Sequence, residues 1–535
     1  MSACGDAASP DNRLMPASNG KAVSRLTQAW PIRRQSAAFR REPLEPCAGL
    51  PLAALPPSGA GFMPRTGIPH RGPARFRRLA AAAALALALE GCLPALDKPE
   101  AGIPAPDHYR ASPSREEAHP PQPSWWRGFR SRPLDDLIAA ANAGNLDIAV
   151  AAAQIAQAEA QAGIAAAPLF PTLDAAGSAE RIRTPATSST SAAVRSQFGL
   201  GLSASYMVDF WGKNRSGLLA AEQNLAAAHF NEEVVRLTAQ VTVANSYFQV
   251  LAARDQIAVA RENLAAANRI LELVRRQFTA GTVSELDVAQ QEALVATVRT
   301  SIPPLEVTLE QNTAALAVLV GRVAATMRPP SGKLAAMAIP RVTPGLPSEL
   351  LRRRPDVRLA EAQLEASGFS VEAARAAMLP QIQLTGTAGV QSAALRSLFV
   401  PGAWYYTLAA GLTQPIFDGF LLESQLKQAK GVQLQDLQSY RKAILSAFAD
   451  VEKALVALDR TSRQLRLQAD VVASSRKAFD VAEAQLRGGT ANQISVLQAQ
   501  QTLFTAQSAM AEVRLNRLLA ATSLFQALGG GWGDR

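Results

Sequence analysis

Two stretches decide the fold: Phe278-Thr279-Ala280-Gly281-Thr282-Val283-Ser284-Glu285-Leu286-Asp287-Val288-Ala289-Gln290 and Leu486-Arg487-Gly488-Gly489-Thr490-Ala491-Asn492-Gln493-Ile494-Ser495-Val496-Leu497-Gln498. Phe278, Gly281, Thr282, Leu286, Val288 and Gln290 of the first are matched by Leu486, Gly489, Thr490, Ile494, Val496 and Gln498 of the second, at an offset of 208. Working outward, Phe210 and Gly212 recur as Phe417 and Gly419 at an offset of 207. Phe170-Pro171 and Gly177 recur as Leu379-Pro380 and Gly386 at 209. Three landmarks in one order at nearly constant spacing define an internal repeat.

Each copy has the same plan: a helical stretch ending at the Pro, two strand-like segments, a very long helix, a Gly turn and a further helix. The long helices are expected over about Lys213–Phe278 and Phe420–Leu486, since Pro is absent from 186 to 302 and again after Pro415. Some 65 residues at a rise of ~1.5 Å make a rod of roughly 100 Å. Phe230, Val234, Leu237, Val241, Ala244, Phe248 and Leu251 are spaced alternately four and three apart, and Leu437, Tyr440, Ile444, Phe448, Val451, Leu455 and Leu458 follow nearly the same rule. A period near 3.5 keeps one seam against a neighbouring helix. The abundance of Ala beside that seam favours rods packed laterally in an elongated assembly.

The strand-like segments alternate. Phe198, Leu200, Leu202, Ala204, Tyr206 and Val208 interleave with Gly199, Gly201, Ser203 and Ser205, and Trp404, Tyr406, Leu408, Ala410 and Leu412 with Tyr405, Thr407, Ala409, Gly411 and Thr413. Period-two alternation fits a half-buried strand of a soluble sandwich and equally a membrane barrel with lipid outside and water inside. In lipid a sheet must be closed, and known barrels have about eight strands or more. One chain offers about four, so the membrane reading requires oligomerisation; two copies give a barrel filled by side chains, and a wider one is needed for an open lumen.

The chain has 535 residues, 48% of them hydrophobic but only 6% aromatic, and 18% charged. That is too apolar for wholesale disorder and typical of long helices. No apolar run reaches the roughly 18 residues of a membrane-spanning helix, which excludes a polytopic helical membrane protein. The net charge of +10 is concentrated at one end: residues 1–91 carry 12 Lys and Arg against 5 Asp and Glu, leaving +3 on the remainder. A nucleic-acid partner is therefore not expected.

The three cysteines are Cys4, Cys47 and Cys92, so the body after Cys92 has no intrachain disulfide. Arg71, Arg75, Arg77 and Arg78 precede the apolar run Leu79–Leu89 and then Gly91-Cys92, the order of a secretory signal. Leu89-Glu90-Gly91-Cys92 resembles the bacterial lipoprotein signal, although Glu90 stands where a small or apolar residue is usual. The resemblance implies an S-diacylglycerol and N-palmitoyl group on Cys92 as the new N-terminus. Leu93 in place of Asp implies sorting to the outer membrane. Met63 is expected to open the signal peptide, 63–91, and 1–62 to be sequence translated from too early a start or a disordered extension. An N-terminal linker, 92–132, then leads to a first repeat over 133–330 and a second over 345–530.

Further motifs make the resemblance specific: Trp125-Trp126 with Phe129 ahead of Pro133-Leu134-Asp135; Ile302-Pro303-Pro304-Leu305-Glu306; Leu351-Arg352-Arg353-Arg354-Pro355-Asp356-Val357-Arg358 with Ala360-Glu361; Ala376-Ala377-Met378-Leu379-Pro380; and Ala527-Leu528-Gly529-Gly530-Gly531-Trp532. Over about 92–532 the chain resembles the TolC-like outer-membrane efflux proteins, and among them the lipidated NodT-type branch. The resemblance implies a mainly α fold with a small β part that assembles, as a homotrimer, into a twelve-stranded outer-membrane barrel continued by an α-helical tunnel across the periplasm. It implies as partners a periplasmic adaptor (membrane fusion protein) and an inner-membrane pump of the resistance-nodulation-division class, with drugs or other small molecules as cargo, and no cofactor.

In that family the hairpin tips dock the adaptor, which points to Gly281, Thr282 and Val283 and to Gly488, Gly489 and Thr490. On the residues alone, a Gly between two helices is a helix stop. Asp287 resembles the family's acidic residue at the tunnel entrance; taken alone, it is an acid favoured in a first helical turn. Ser495 occupies its place in the second copy, with Gln498 one turn on, so the entrance is expected to be less acidic. Trp125-Trp126 fits an interfacial anchor or a packing role, and Arg352–Arg354 a salt-bridged helix start.

Catalysis has little support. After Cys92 the histidines are His108, His119 and His229, without metal-ligand spacing, and neither a phosphate-binding Gly loop nor a nucleophile elbow occurs. Two other readings stand: the outer channel of a one-step (type I) protein secretion system, which shares the fold, and a lipid-anchored periplasmic adaptor, against which the duplicated strand-pair-plus-rod unit argues.

Overall fold

The computed structural model describes residues 100–110, 124–189, 191–340 and 345–531, all within the unit Pro94–Arg535. The leader, Cys92 and Trp532 lie outside the described residues.

The repeat is visible as the order of elements. In the first copy, helices α1 (Arg132–Gly144) and α2 (Leu146–Ala166) lead to strands β1 (Thr172–Thr184) and β2 (Ala193–Val208), then to the rod α3 (Lys213–Thr279). In the second, α6 (Pro347–Arg353) and α7 (Pro355–Ala376) lead to β3 (Gln381–Ser392) and β4 (Trp404–Thr413), then to the rod α8 (Leu421–Arg487). Both rods have 67 residues, about 100 Å at the usual rise, and both begin and end within a residue of the expected bounds. The copies differ in the return limb. In the second it is one helix, α9 (Gln493–Ala527), whereas the first breaks into α4 (Glu285–Thr300) and α5 (Ile302–Leu319). The break falls where Pro303 and Pro304 occupy the first turn of α5, positions at which Pro can begin a helix but not continue one. Among the described residues no helix is long and apolar enough to cross a membrane.

Each rod is started by a carboxylate. Asp209 accepts from the backbone N–H groups of Asn214 and Arg215, and Asp418 from those of Leu421 and Leu422. These donors have no partner inside the helix. The middle of the seam is buried, with Val241, Ala244, Phe248 and Leu251 in one cluster and Ile444 and Val451 in another. Residues of the N-terminal linker enter both. Trp125 is buried and stacks on Phe525, with ring centroids 5.1 Å apart, and Tyr109 packs with Leu350 and Ile444. Trp125 is thus a core residue, not a surface anchor.

Arg354 fastens the second copy. It precedes Pro355 at the start of α7 and is only 7% exposed. Its guanidinium donates to Asp356 through two nitrogens, at 2.9 and 2.7 Å. It also reaches Asp450 on α8 at 3.3 Å and the carbonyls of Ala447 and Ala527 at 3.4 and 3.2 Å. Burial pulls its pKa down, but the two carboxylates more than offset this and hold it above the ordinary guanidinium value. Arg353, by contrast, lies in the last turn of α6 and pairs with Glu349.

The four strands form one antiparallel sheet in the order β1-β2-β3-β4. The repeats therefore meet at β2-β3, and β1 and β4 are edges.

Candidate functional site

The two hairpin tips are built alike, bond for bond. At the end of α3, Gly281 turns left-handed with φ 71 and donates to the Phe278 carbonyl. At the end of α8, Gly489 does the same with φ 67, donating to Leu486. The next residue closes a Schellman turn: Thr282 N–H donates to the Gln277 carbonyl over 3.0 Å and Thr490 N–H to Gln485 over 2.9 Å. Both threonine hydroxyls add a second bond to that same carbonyl. Only a residue without a β-carbon takes this left-handed position freely, which is why Gly stands at both. Val283 is half-buried in the cluster beneath the first tip, and Gly488 is the last right-handed position before the second.

The return helices start with different chemistry in equivalent places. Ser284 and Asp287 form a capping box: Asp287 Oδ2 accepts from Ser284 N–H at 2.9 Å and Ser284 Oγ at 2.7 Å. In the second copy Asn492 Oδ1 accepts from Ser495 N–H at 3.0 Å, and Ser495 Oγ donates back to the Asn492 carbonyl at 2.8 Å. Asp287 and Ser495 thus hold the same position and each bonds its own cap. Gln498 lies exposed a turn later. Leu286 and Ile494, also repeat partners, are exposed beside the tips.

Just inside the tips lies a group that the sequence reading did not single out. Gln291, Gln493 and Gln500 are buried together. Gln493 Nε2 donates to Gln291 Oε1 at 2.9 Å, while Gln291 Nε2 donates to the Ala267 carbonyl at 3.0 Å and reaches Gln500 Oε1 at 3.4 Å. Gln277 Nε2 adds a bond to the Leu486 carbonyl at 3.2 Å. These neutral amides join one hairpin to the other among Ile270, Val274, Phe479, Leu486, Val496 and Leu503. The signal was present: Gln291 falls three residues from Val288 and from Leu294, on the apolar side of its helix.

At the other end of the rods the sheet sorts its residues by face. The cross-strand rows Leu173–Ala204–Gly386–Leu408, Ala175–Leu202–Ala388–Tyr406 and Gly177–Leu200–Val390–Trp404 lie on one face. The intervening rows Asp174–Ser203–Thr387–Thr407 and Thr172–Ser205–Thr385–Ala409 lie on the other. One face is thus apolar across all four strands, with Trp404 and Tyr406 stacked at 5.6 Å, and the opposite face carries hydroxyls and amides. The apolar face is open: Leu173, Trp404, Tyr406, Leu408 and Leu412 are all exposed. An apolar outside and polar inside in dyad alternation is the pattern of a membrane barrel.

The model of the outer membrane efflux protein family matches residues 137–322 and 346–530. The chain belongs to that family. Among relatives of this efflux protein, the pyoverdine export outer membrane protein OpmQ of Pseudomonas aeruginosa is 38% identical over 443 residues, which are 81% of this chain and 92% of the relative. The toluene efflux pump outer membrane protein TtgC of Pseudomonas putida is 33% identical over 470 residues, 85% of this chain and 96% of the relative. Among solved structures, the open-state MtrE outer membrane channel of Neisseria gonorrhoeae superposes with a TM-score of 0.71 at 28% identity, covering 82% of this chain and 98% of that one. The efflux protein is therefore an outer-membrane protein with a TolC-like fold. Among its described residues no group of three or more His, Cys, Asp or Glu is placed to hold a metal.

Proposed function

We propose that three copies of this chain form the outer-membrane channel of a tripartite efflux system, receiving drugs or other small molecules from an inner-membrane resistance-nodulation-division pump through a periplasmic adaptor. The sheet carries this reading: four strands with one apolar and one polar face and two edges left open. Lipid does not tolerate an open edge, so β4 of one copy must meet β1 of the next, and three copies close twelve strands around a lumen.

The rods call for the same head-to-tail neighbour. In the chain α7 packs on both α3 and α8. Its repeat partner α2 packs on α3 and leaves Leu146, Val150 and Ile164 exposed. A neighbouring copy's α8, which exposes Val432, Leu434 and Leu445, supplies the missing partner and repeats the packing seen within one chain.

The tips at Gly281-Thr282-Val283 and Gly488-Gly489-Thr490 are the surface offered to the adaptor, flanked by Leu286 and Ile494. Asp287, Ser495 and Gln498 lie at the entrance, where Asp287 is held by its own cap Ser284 and the second copy places no acid at the equivalent position. Cys92 is the lipid attachment site, and Cys92→Ala abolishes incorporation of a labelled fatty acid.

The deciding experiment is planar-bilayer conductance of the detergent-extracted protein with its mass measured in the same preparation. A conducting trimer is expected. A monomer or dimer that never conducts overturns the reading.

A further inference from the structure

One aromatic side chain stands on the polar face of the sheet. Tyr405 belongs to the row Ala176–Gly201–Gly389–Tyr405, and it is one residue from the end of β4 remote from the rods. In this row the three residues facing it are an Ala and two Gly. The phenol does not stand up from the wall. It lies across β3 and reaches β2, where a β-carbon added at Gly201 would come within 3.2 Å of its hydroxyl. Gly389 beneath it admits no side chain at all, because a β-carbon there would be 2.4 Å from the Leu200 carbonyl oxygen. On the far side Ser178 leans over the floor in the same way, with its hydroxyl 2.9 Å from a β-carbon placed at Gly199. Ala176, Ser178, Gln197, Thr387, Gln391 and Tyr405 border the shallow depression that results.

We propose that Gly201 is the size-determining position of the outer mouth of the channel: having no side chain, it lets Tyr405 fold flat over Gly389 and keeps the ring out of the bore. The inference rests on the reading of the polar face as the lumen. Gly in a strand gives up side-chain packing and often marks the close approach of another group; here the group is the channel's own aromatic ring. Strands neighbour one another at about 4.8 Å, so a ring lying along the wall spans the width of one strand and leaves the bore clear. A side chain at Gly201 occupies the place of the phenol and turns the ring toward the axis, and threefold closure brings three such rings toward one another at the same height.

The test is thiol labelling from outside intact cells at Gln383→Cys, an exposed position on the same face and nearer the rods. A small methanethiosulfonate and a bulky polyethylene-glycol maleimide are compared. On this background Gly201→Leu is expected to slow the bulky reagent several-fold and leave the small one unchanged. Adding Tyr405→Ala is expected to restore the bulky rate, and Tyr405→Ala alone to change neither. An unchanged bulky rate in Gly201→Leu overturns the proposal, as does a slow rate that Tyr405→Ala does not rescue. If Gly201→Leu fails to assemble, Tyr405→Ala alone decides, since a several-fold acceleration would show a ring that already projects. No labelling of the parent Gln383→Cys protein by even the small reagent would overturn the lumen assignment itself, a distinct failure.

Discussion

The side-chain amide of Gln493 donates to Gln291 Oε1 across 2.9 Å, and this bond ties the second repeat to the first within two turns of the hairpin tips. Gln291→Leu roughly keeps the volume and leaves the Ala267 carbonyl only its bond within the helix, but it strands the Gln493 amide in a buried site. An unsatisfied buried group costs about 1–3 kcal/mol. Gln291→Leu should therefore let the two hairpins part more readily and raise the basal conductance in planar bilayers. An unchanged conductance would show that these amides do not restrain the entrance.

Arg354 gives a sharper stability prediction. Removing the guanidinium as Arg354→Met leaves the Ala447 and Ala527 carbonyls without their charged donor, while Asp356 and Asp450 still reach solvent. The expected loss is about 1.5–3 kcal/mol, the range for hydrogen bonds to a charged group, because the acids left behind stay hydrated. Arg354→Lys should recover little of it, because an ammonium cannot reproduce the planar two-nitrogen bond to Asp356. Thermal unfolding of the detergent-solubilised protein reads this directly, and a Lys variant as stable as the parent would refute it.

Much of this architecture was legible because it is local and repeated. A Gly two residues beyond the end of each long helix locates each tip, and alternation locates the strands, since backbone sterics act over a few residues. Of the Gln291–Gln493–Gln500 group only the place of Gln291 on an apolar face was legible: Gln493 and Gln500 lie about 200 positions further on, and nothing local brings the second hairpin against the first. Arg354 reads in the sequence as part of a charged run, and nothing local separates it from Arg352 and Arg353. Only the convergence of α7, α8 and α9 does so. The break at Ser301, in contrast, was written in Pro303-Pro304, and the second copy has Ala511 and Glu512 at the corresponding places.

The tips themselves can be tested by backbone chemistry alone. Gly281 and Gly489 sit at φ 71 and 67 with open space where a β-carbon would go. Ala at either place costs only the left-handed backbone penalty, about 1–2 kcal/mol, and should leave efflux close to normal. Pro fixes φ near −65° and removes the N–H that bonds Phe278 or Leu486, so the turn must rearrange. Gly281→Pro or Gly489→Pro should lower efflux in a strain lacking the parent gene while the oligomer persists on size-exclusion chromatography. Normal drug tolerance in that strain would count against docking at the tips.

Asp255 sets a pH dependence away from the membrane. Its Oδ2 accepts the Leu334 N–H at 3.1 Å, yet burial pushes its carboxyl above the ordinary value, outweighing that bond and the nearby Arg514, Lys333 and Arg254. A carboxyl whose folded pKa is raised binds its proton more tightly in the folded state, so stability falls as pH rises through the window between the ordinary and the raised value. Below that window the cost is absent, and above it the cost is full. Asp255→Asn keeps an oxygen for Leu334 and carries no charge. The variant should therefore unfold at a higher temperature than the parent at neutral pH, with the advantage shrinking as the solution is acidified through the window. A difference in midpoint that stays constant with pH, or that grows in acid, would show that Asp255 does not carry this cost.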